Sequence, residues 1–404
     1  MLSVLRSPAK QIVQCLVLLA AGCLTTMTGG IVAPVFPEIL QHLHLEPRWA
    51  GMLISIHALM IALFTPILGI LADRIGKLKV LIAALIFYAV FGISGAFIGH
   101  FLPLLADRAL LGIASGGISA ACIGLLSNMF EGEARLQVLG YATSAMTTAS
   151  IFVPLLGGWV GSYNWKFAFF IYGVSLPIAL AAALMLQEAD RSENSALSNM
   201  MGNQLIKAIT KPQVIRLFIT LALAAAIVYS VVIYTPVYLN ETIGADAKLN
   251  GIVLTARAIG ATVVSALAAN WIGKRLGRNV TIALGFILMA SMLATIPVLK
   301  DISLILYAAV FFGAGFGVAV PHMYNGLAEF SPPELRSSVM AIGTGFNSLG
   351  QFICPIFLGA VWQSWGLTNV FYVTAGVGLM IAVWIVSASI QESQRQKAKG
   401  KRRI

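Results

Sequence analysis

The sequence predicts an all-α membrane protein with twelve transmembrane helices in two pseudo-symmetric six-helix bundles, and three observations predict it. Hydrophobic residues make up 59% of the 404 positions and charged residues only 10%, far from the roughly 25% charged of a soluble domain. The apolar residues fall in runs of about 20 or more, each enough for a helix to cross about 30 Å of hydrocarbon. The chain also repeats itself at an offset of about 200 positions, the mark of a duplicated architecture. Lipid offers the backbone no hydrogen bonds, so helices are the default spanning element.

Span 1 is read at 11–36, after Arg6 and Lys10. Its apolar stretch is too long for a signal peptide, and further spans follow it. Spans 2 and 3, at 50–72 and 80–99, flank a turn with Arg74, Lys77 and Lys79. Span 4, at 101–128, is glycine-rich and carries Asp107 and Arg108. Span 5, at 136–160, contains Pro154, Gly157 and Gly158, and span 6 closes the first set at 165–187. The stretch from Glu188 to Gln213, with Asp190, Arg191, Glu193, Asn194 and several serines, reads as a linker. Spans 7 to 12 follow at 214–238, 251–272, 280–299, 302–328, 338–361 and 369–390. The expected domains are therefore an N-terminal bundle at 1–187, a cytoplasmic linker at 188–213, a C-terminal bundle at 214–390 and a basic cytoplasmic tail at 391–404.

The formal charge of +11 is distributed by topology and not along one soluble face, so nucleic acid is not an expected partner. Twenty of the 26 Lys and Arg fall on one side of the spans, from Arg6 through Arg336 to the tail, against Arg48, Lys166, Lys248 and Lys300 on the other. Arg108 and Arg257 lie within spans. The positive-inside rule then puts both termini in the cytoplasm of an inner (plasma) membrane protein. Cys15, Cys23, Cys122 and Cys354 sit inside apolar runs, without metal-ligand spacing, and read as small core residues. No metal or cofactor is expected.

The repeat aligns Arg74 with Arg275, Gly76 with Gly277, Gly112 and Gly116 with Gly313 and Gly317, and Pro154 and Gly158 with Pro355 and Gly359. Glu133 and Arg135 likewise meet Glu334 and Arg336. In spans 2 and 8 the offset is one shorter: Gly51 meets Gly251 and His57 meets Arg257. Parallel six-helix repeats are the plan of secondary transporters that bind solute near the midplane and rock the halves.

Between spans 2 and 3 the sequence reads Gly69-Ile70-Leu71-Ala72-Asp73-Arg74-Ile75-Gly76-Lys77-Leu78-Lys79. It resembles the signature G-x-L-A-D-R-x-G-R-K of the major facilitator superfamily, most nearly its twelve-helix drug/metabolite:proton antiporter branch. The resemblance implies the major facilitator fold and a cytoplasmic gate latched through Asp73 and Arg74. In the second copy, Asn270-Trp271-Ile272-Gly273-Lys274-Arg275-Leu276-Gly277-Arg278, Lys274 stands at the Asp73 position, so a latch there must be weaker or differently paired. Asp107-Arg108 with Gly112 and Gly116 is similar to the family's second motif, whose arginine is associated with proton coupling. Pro154, Gly157 and Gly158 partly match its antiporter motif, with Ala149 and Val153 where the motif has glycine.

Ionisable residues inside spans are functional hypotheses by default. His57, Asp107, Arg108 and His322 are the coupling candidates, with histidine able to titrate near neutral pH. Arg257, Asn325, Asn347 and Gln351 are the substrate-cavity candidates, the alternative for the amides being hydrogen bonds between helices. Arginines outnumber deep carboxylates, which favours an anionic or zwitterionic solute. The expected function is secondary active transport by alternating access, proton-coupled efflux of a small organic solute, drug-like or an anionic or zwitterionic metabolite, by a monomer in the bilayer. An importer or lipid-like substrate carrier of the same fold is the alternative, as is a sensor that binds without flux. No nucleophile-base pair or clustered metal ligand supports an enzyme.

Overall fold

A computed structural model describes residues 9–130, 132–187, 198–332 and 335–401. Arg6, Arg191, Glu334, linker positions 188–197 and tail positions 402–404 lie outside the described residues. The described residues are helical, contain no strand, and include twelve helices long and apolar enough to cross a membrane. These spans run Lys10–His42, Pro47–Ile75, Lys77–Ser94, Phe101–Met129, Gln137–Gly161 and Trp165–Met185 in the first repeat. Pro212–Ile243, Ala247–Leu267, Arg278–Val298, Ile302–Phe330, Arg336–Trp365 and Leu367–Ser387 follow in the second. Each expected span is present, displaced by a few residues at its ends.

Span 1 extends furthest beyond its expected end. A 3-10 turn at Ala33–Val35 leads into a further helix at Phe36–His42, with Pro34 and Pro37 in the first positions of these two elements. A proline there removes an N–H that the helix could not use anyway. Span 2 is continuous from Met52 to Ile75, whereas span 8 breaks at Ala268, between Leu267 and the short helix Ala269–Leu276. The break explains the uneven repeat offset. The extra residue of the second repeat falls between the Gly51/Gly251 and Arg74/Arg275 matches, and the helix admits it at Ala268. Both basic turns end on a glycine with positive φ, 113° at Gly76 and 78° at Gly277, which a side chain would strain.

Two compact units divide the chain. The first holds Met1–Leu197 with Val232–Thr255 and Gln351–Ala360, and the second holds Ser198–Val231, Ala256–Gly350 and Val361–Ile404. In the first, span 2 lies along span 4 and span 3 packs on spans 4 and 6, burying Leu81, Leu85, Leu111, Ile118 and Phe169. In the second, span 9 packs on spans 10 and 12 around Phe286, Met289, Phe312 and Phe371. The repeat is visible in backbone contact. A Cβ at Gly112 would come within 2.6 Å of the His57 carbonyl oxygen, and one at Gly313 would strike the Arg257 carbonyl oxygen. Small residues let helix backbones approach this closely. Cys15, Cys122 and Cys354 are buried and Cys23 half-buried, all as free thiols.

Candidate functional site

The first unit contains a seam where both repeats meet, built from the ends of spans 1, 2, 5, 7, 8 and 11. Glycines make it possible. A Cβ on Gly251 of span 8 would lie 2.6 Å from the Pro154 carbonyl oxygen of span 5, and a Cβ on Gly51 of span 2 would lie 2.6 Å from Pro355 of span 11. The two contacts are the same contact made twice, since Gly51 corresponds to Gly251 and Pro154 to Pro355. Gly158 faces the Ala247 carbonyl and Gly251, Gly359 faces the Arg48 carbonyl, and Gly157 lies on the Ile31 carbonyl of span 1. Val153, which stands where the motif has glycine, has its space supplied from the opposite side, because it packs on Gly30. Gln41 donates to Asn240 at 3.1 Å and Thr255 donates to the Ile151 carbonyl at 3.0 Å, tying span 1 to span 7 and span 8 to span 5.

Asp107 and Arg108 form a buried pair within the first unit. The Arg108 guanidinium donates to Asp107 at 2.6 and 3.1 Å and to the Phe91 and Gly92 carbonyls of span 3, while Ser94 donates to the other Asp107 oxygen. Phe169 and Tyr172 of span 6 cover the guanidinium at 4.9 and 5.5 Å. Its Nη1 is buried with no hydrogen-bond partner among the described residues. His57 is buried within Coulombic reach of Arg108, so three of the four coupling candidates share one cluster. Beside it runs a polar layer that no motif or spacing in the sequence marks. Thr28 donates to Ser115 at 3.0 Å, Tyr88 to the Leu24 carbonyl at 2.6 Å, and Tyr172 to the Thr28 carbonyl at 2.8 Å. Threonine, serine and tyrosine occur so often in apolar helices that only their convergence distinguishes these four.

The second unit places its candidates apart. Arg257 of span 8 has a buried Nε with no hydrogen-bond partner, and no carboxylate pairs with its guanidinium among the described residues. Tyr229 of span 7 is its one electrostatic neighbour there. His322 lies at the other end of span 8: Nδ1 meets the Val318 carbonyl at 2.8 Å, and Nε2 rests on Gly273. The first repeat has Ala121 and Ala72 at these two positions, so the large side chain on span 10 is matched by a lost methyl on the facing helix. Asn325 is exposed and Asn347 half-buried, while Gln351, also half-buried, belongs to the first unit; Asn347 and Gln351 have interactions of their own.

In the first basic loop the exposed Asp73 pairs with Lys77 at 3.3 Å, and Lys77 also reaches Asn128 of span 4 at 3.3 Å. In the second, Arg278 pairs with Glu329 of span 10 at 2.6 Å and covers Phe330 at 4.5 Å. Arg278 and Glu329 are the repeat equivalents of Lys77 and Asn128. The loop-to-span tie is thus kept and becomes an ion pair where Lys274 replaces the aspartate. Arg275 stacks on Trp271 at 4.2 Å. Among the described residues no group of three His, Cys, Asp or Glu side chains comes together to hold a metal ion.

The family profile described as Major Facilitator Superfamily matches residues 18–254 and 239–403. The chain is 23% identical over 373 residues to the quinolone resistance protein NorA of Staphylococcus aureus (strain COL), covering 92% of this chain and 94% of that one. It is 24% identical over 379 residues to multidrug resistance protein 1 of Bacillus subtilis (strain 168), covering 90% and 94%. Its fold superposes with a TM-score of 0.81 on a bacterial homologue of the human lysosomal transporter Spinster, at 15% identity, covering 95% of this chain and 97% of that chain.

Proposed function

Because the chain belongs to the major facilitator superfamily, and so is a multi-pass membrane transporter and not an enzyme, we propose that it exports a small organic solute bearing an anionic group in exchange for protons. Arg257 carries this reading. An arginine at the centre of a spanning helix costs about 2.5–3.5 kcal/mol on insertion scales. Arg108 offsets that cost with Asp107, but Arg257 has no such partner among the described residues, and a carboxylate or other anion on the solute would supply it. Asn325 and Asn347, in the same unit as Arg257, supply further polar contacts on spans 10 and 11. The names of the relatives concern quinolone and multidrug resistance, which favours export. The coupling role falls to the linked His57, Asp107 and Arg108, with His322 acting through the second basic loop.

The charge asymmetry supports a cytoplasmic face for the basic loops and both termini, with 188–213 and 391–404 on that side. The bundles 1–187 and 214–390 then rock as a monomer in the inner membrane, the seam lying at the outer face. A thermal-shift screen of the purified protein at two pH values tests the solute class. Carboxylates or zwitterions stabilise the wild type, and Arg257→Gln weakens their binding by about 10- to 100-fold, as loss of a charge-assisted hydrogen bond of about 1.5–3 kcal/mol requires. Tight binding of lipophilic cations with indifference to carboxylates would overturn the assignment.

The loops give a second test. Asp73 is mostly exposed, and its pair with Lys77 contributes at most about 1 kcal/mol to stability. Asp73→Ala should therefore melt almost as the wild type does but transport more slowly in proteoliposomes. Lys274→Ala should do less damage, and equal damage would contradict the asymmetry of the two loops.

A further inference from the structure

The short helix after the break in span 8 presents a cationic and aromatic face that solute binding and coupling do not account for. Span 8 proper, Ala247–Leu267, has 21 residues, and at about 1.5 Å per residue it crosses the hydrocarbon layer of about 30 Å. Ala269–Leu276 therefore starts where the chain reaches the membrane surface. One face of this helix is fixed, since Ala269 is buried and Gly273, one turn on, lies against the His322 ring of span 10. Trp271, Lys274 and Arg275 occupy the opposite face at the three- and four-residue spacings that bring side chains together. All three are exposed.

The guanidinium of Arg275 lies over the Trp271 ring at 4.2 Å. Among the described residues no carboxylate pairs with Arg275 or Lys274, whereas Lys77 has Asp73 and Arg278 has Glu329. The first repeat lacks this arrangement: Ile70 stands at the position of Trp271 and Asp73 at that of Lys274. The second repeat thus differs, on a single turn, by a ring, a cation and a missing acid. Before Trp271, at successive steps of four residues, stand Leu267, 78% exposed, and Val263, 47% exposed. The stripe from Val263 to Arg275 passes from apolar side chains through an indole to a guanidinium. Indole rings favour the headgroup level of a bilayer, and a guanidinium held flat on a ring keeps its planar fork of donors free for phosphate oxygens.

We propose that Trp271, Lys274 and Arg275 form a binding site for an anionic phospholipid, with its phosphate between the two cations and its acyl chains along Leu267 and Val263. Arg275 donates to the phosphate oxygens, Lys274 adds a second positive charge, and the indole sits at the glycerol level. A zwitterionic headgroup brings an ammonium of its own, which the two cations repel, so the site selects net negative charge. A free phosphate shares the cationic contacts but leaves the apolar stripe unused. The site is separate from Arg257 and involves no transported solute.

Native mass spectrometry of the full-length protein, titrated in detergent with phosphatidylglycerol or phosphatidylcholine, measures the affinity of the first lipid bound. The wild type is expected to hold phosphatidylglycerol at least about fivefold more tightly than phosphatidylcholine. Lys274→Ala and Arg275→Ala should each weaken phosphatidylglycerol binding by about fivefold, the loss of one cation at an anionic surface. Trp271→Leu should weaken it too, whereas Trp271→Phe, which keeps a ring face, should retain most of it. Lys79→Ala removes an exposed cation from the first loop and should change nothing. Equal affinity for the two lipids, no loss in either cation variant, or an equal loss in Lys79→Ala would overturn the proposal. Displacement of phosphatidylglycerol by millimolar inorganic phosphate would reassign the cations to a soluble anion and overturn it as well. Failure of the Arg257 binding test would leave this result untouched.

Discussion

Gly158→Val and Gly251→Val each reduce transport by about fivefold or more while the protein still inserts and folds. A Cβ at Gly251 would meet the Pro154 carbonyl oxygen at 2.6 Å and the Gly158 Cα at 3.1 Å, and a Cβ at Gly158 would strike the Ala247 carbonyl. These neighbours are backbone atoms, which cannot turn aside as the end of a side chain can. Overpacking a close contact of this kind costs about 1–3 kcal/mol, and that cost falls on the closed seam alone. A bias of that size changes the ratio of two conformations by about 5- to 150-fold. Flux in proteoliposomes, measured beside the thermal melting curve, separates this from simple misfolding. Gly140→Ala is the control: it lies in the same helix as Gly158, and its Cβ would enter open space.

Asp107→Ala is the most destabilising single change expected in the first unit. It leaves the Arg108 guanidinium, whose side chain is 4% exposed, without its counter-charge. Removing one partner of a buried ion pair costs about 3–5 kcal/mol, because the remaining charge is neither solvated nor paired. The Phe91 and Gly92 carbonyls and the faces of Phe169 and Tyr172 recover only part of this loss. The double change Asp107→Leu with Arg108→Met removes both charges and should regain most of the stability, since apolar replacement of a buried pair is often neutral. Thermal denaturation of the wild type, Asp107→Leu, Arg108→Met and the double variant forms a double-mutant cycle. Additive losses would mean that the two side chains act separately and that their 2.6 Å contact contributes little.

Much of this arrangement was legible before any coordinates. Apolar runs bounded by basic turns located all twelve spans, because run length is set by bilayer thickness. The offset between repeats matched Gly112 with Gly313 and His57 with Arg257, but the approach of each glycine to the backbone of span 2 or span 8, and the break of span 8 at Ala268, are visible only in the structure. Helix rotation was not legible. A span that is apolar on every face carries no signal for which side meets protein, so whether Arg108 turns inward toward Phe169 or elsewhere could not be read from its neighbours. His322 was read as a coupling residue from its chemistry, and its fit over Gly273 becomes intelligible only beside Ala121 and Ala72 of the first repeat.

The account depends on an anionic solute meeting Arg257 and crossing the membrane against a flow of protons. Its most direct test is flux into everted proteoliposomes of a carboxylate-bearing solute selected by the binding screen, with and without an imposed acid-inside pH gradient, for the wild type, Arg257→Lys and Arg257→Gln. The account predicts gradient-driven accumulation in the wild type, partial accumulation with lysine and none with glutamine. Binding without flux in the wild type, or equal accumulation by the glutamine variant, would contradict it.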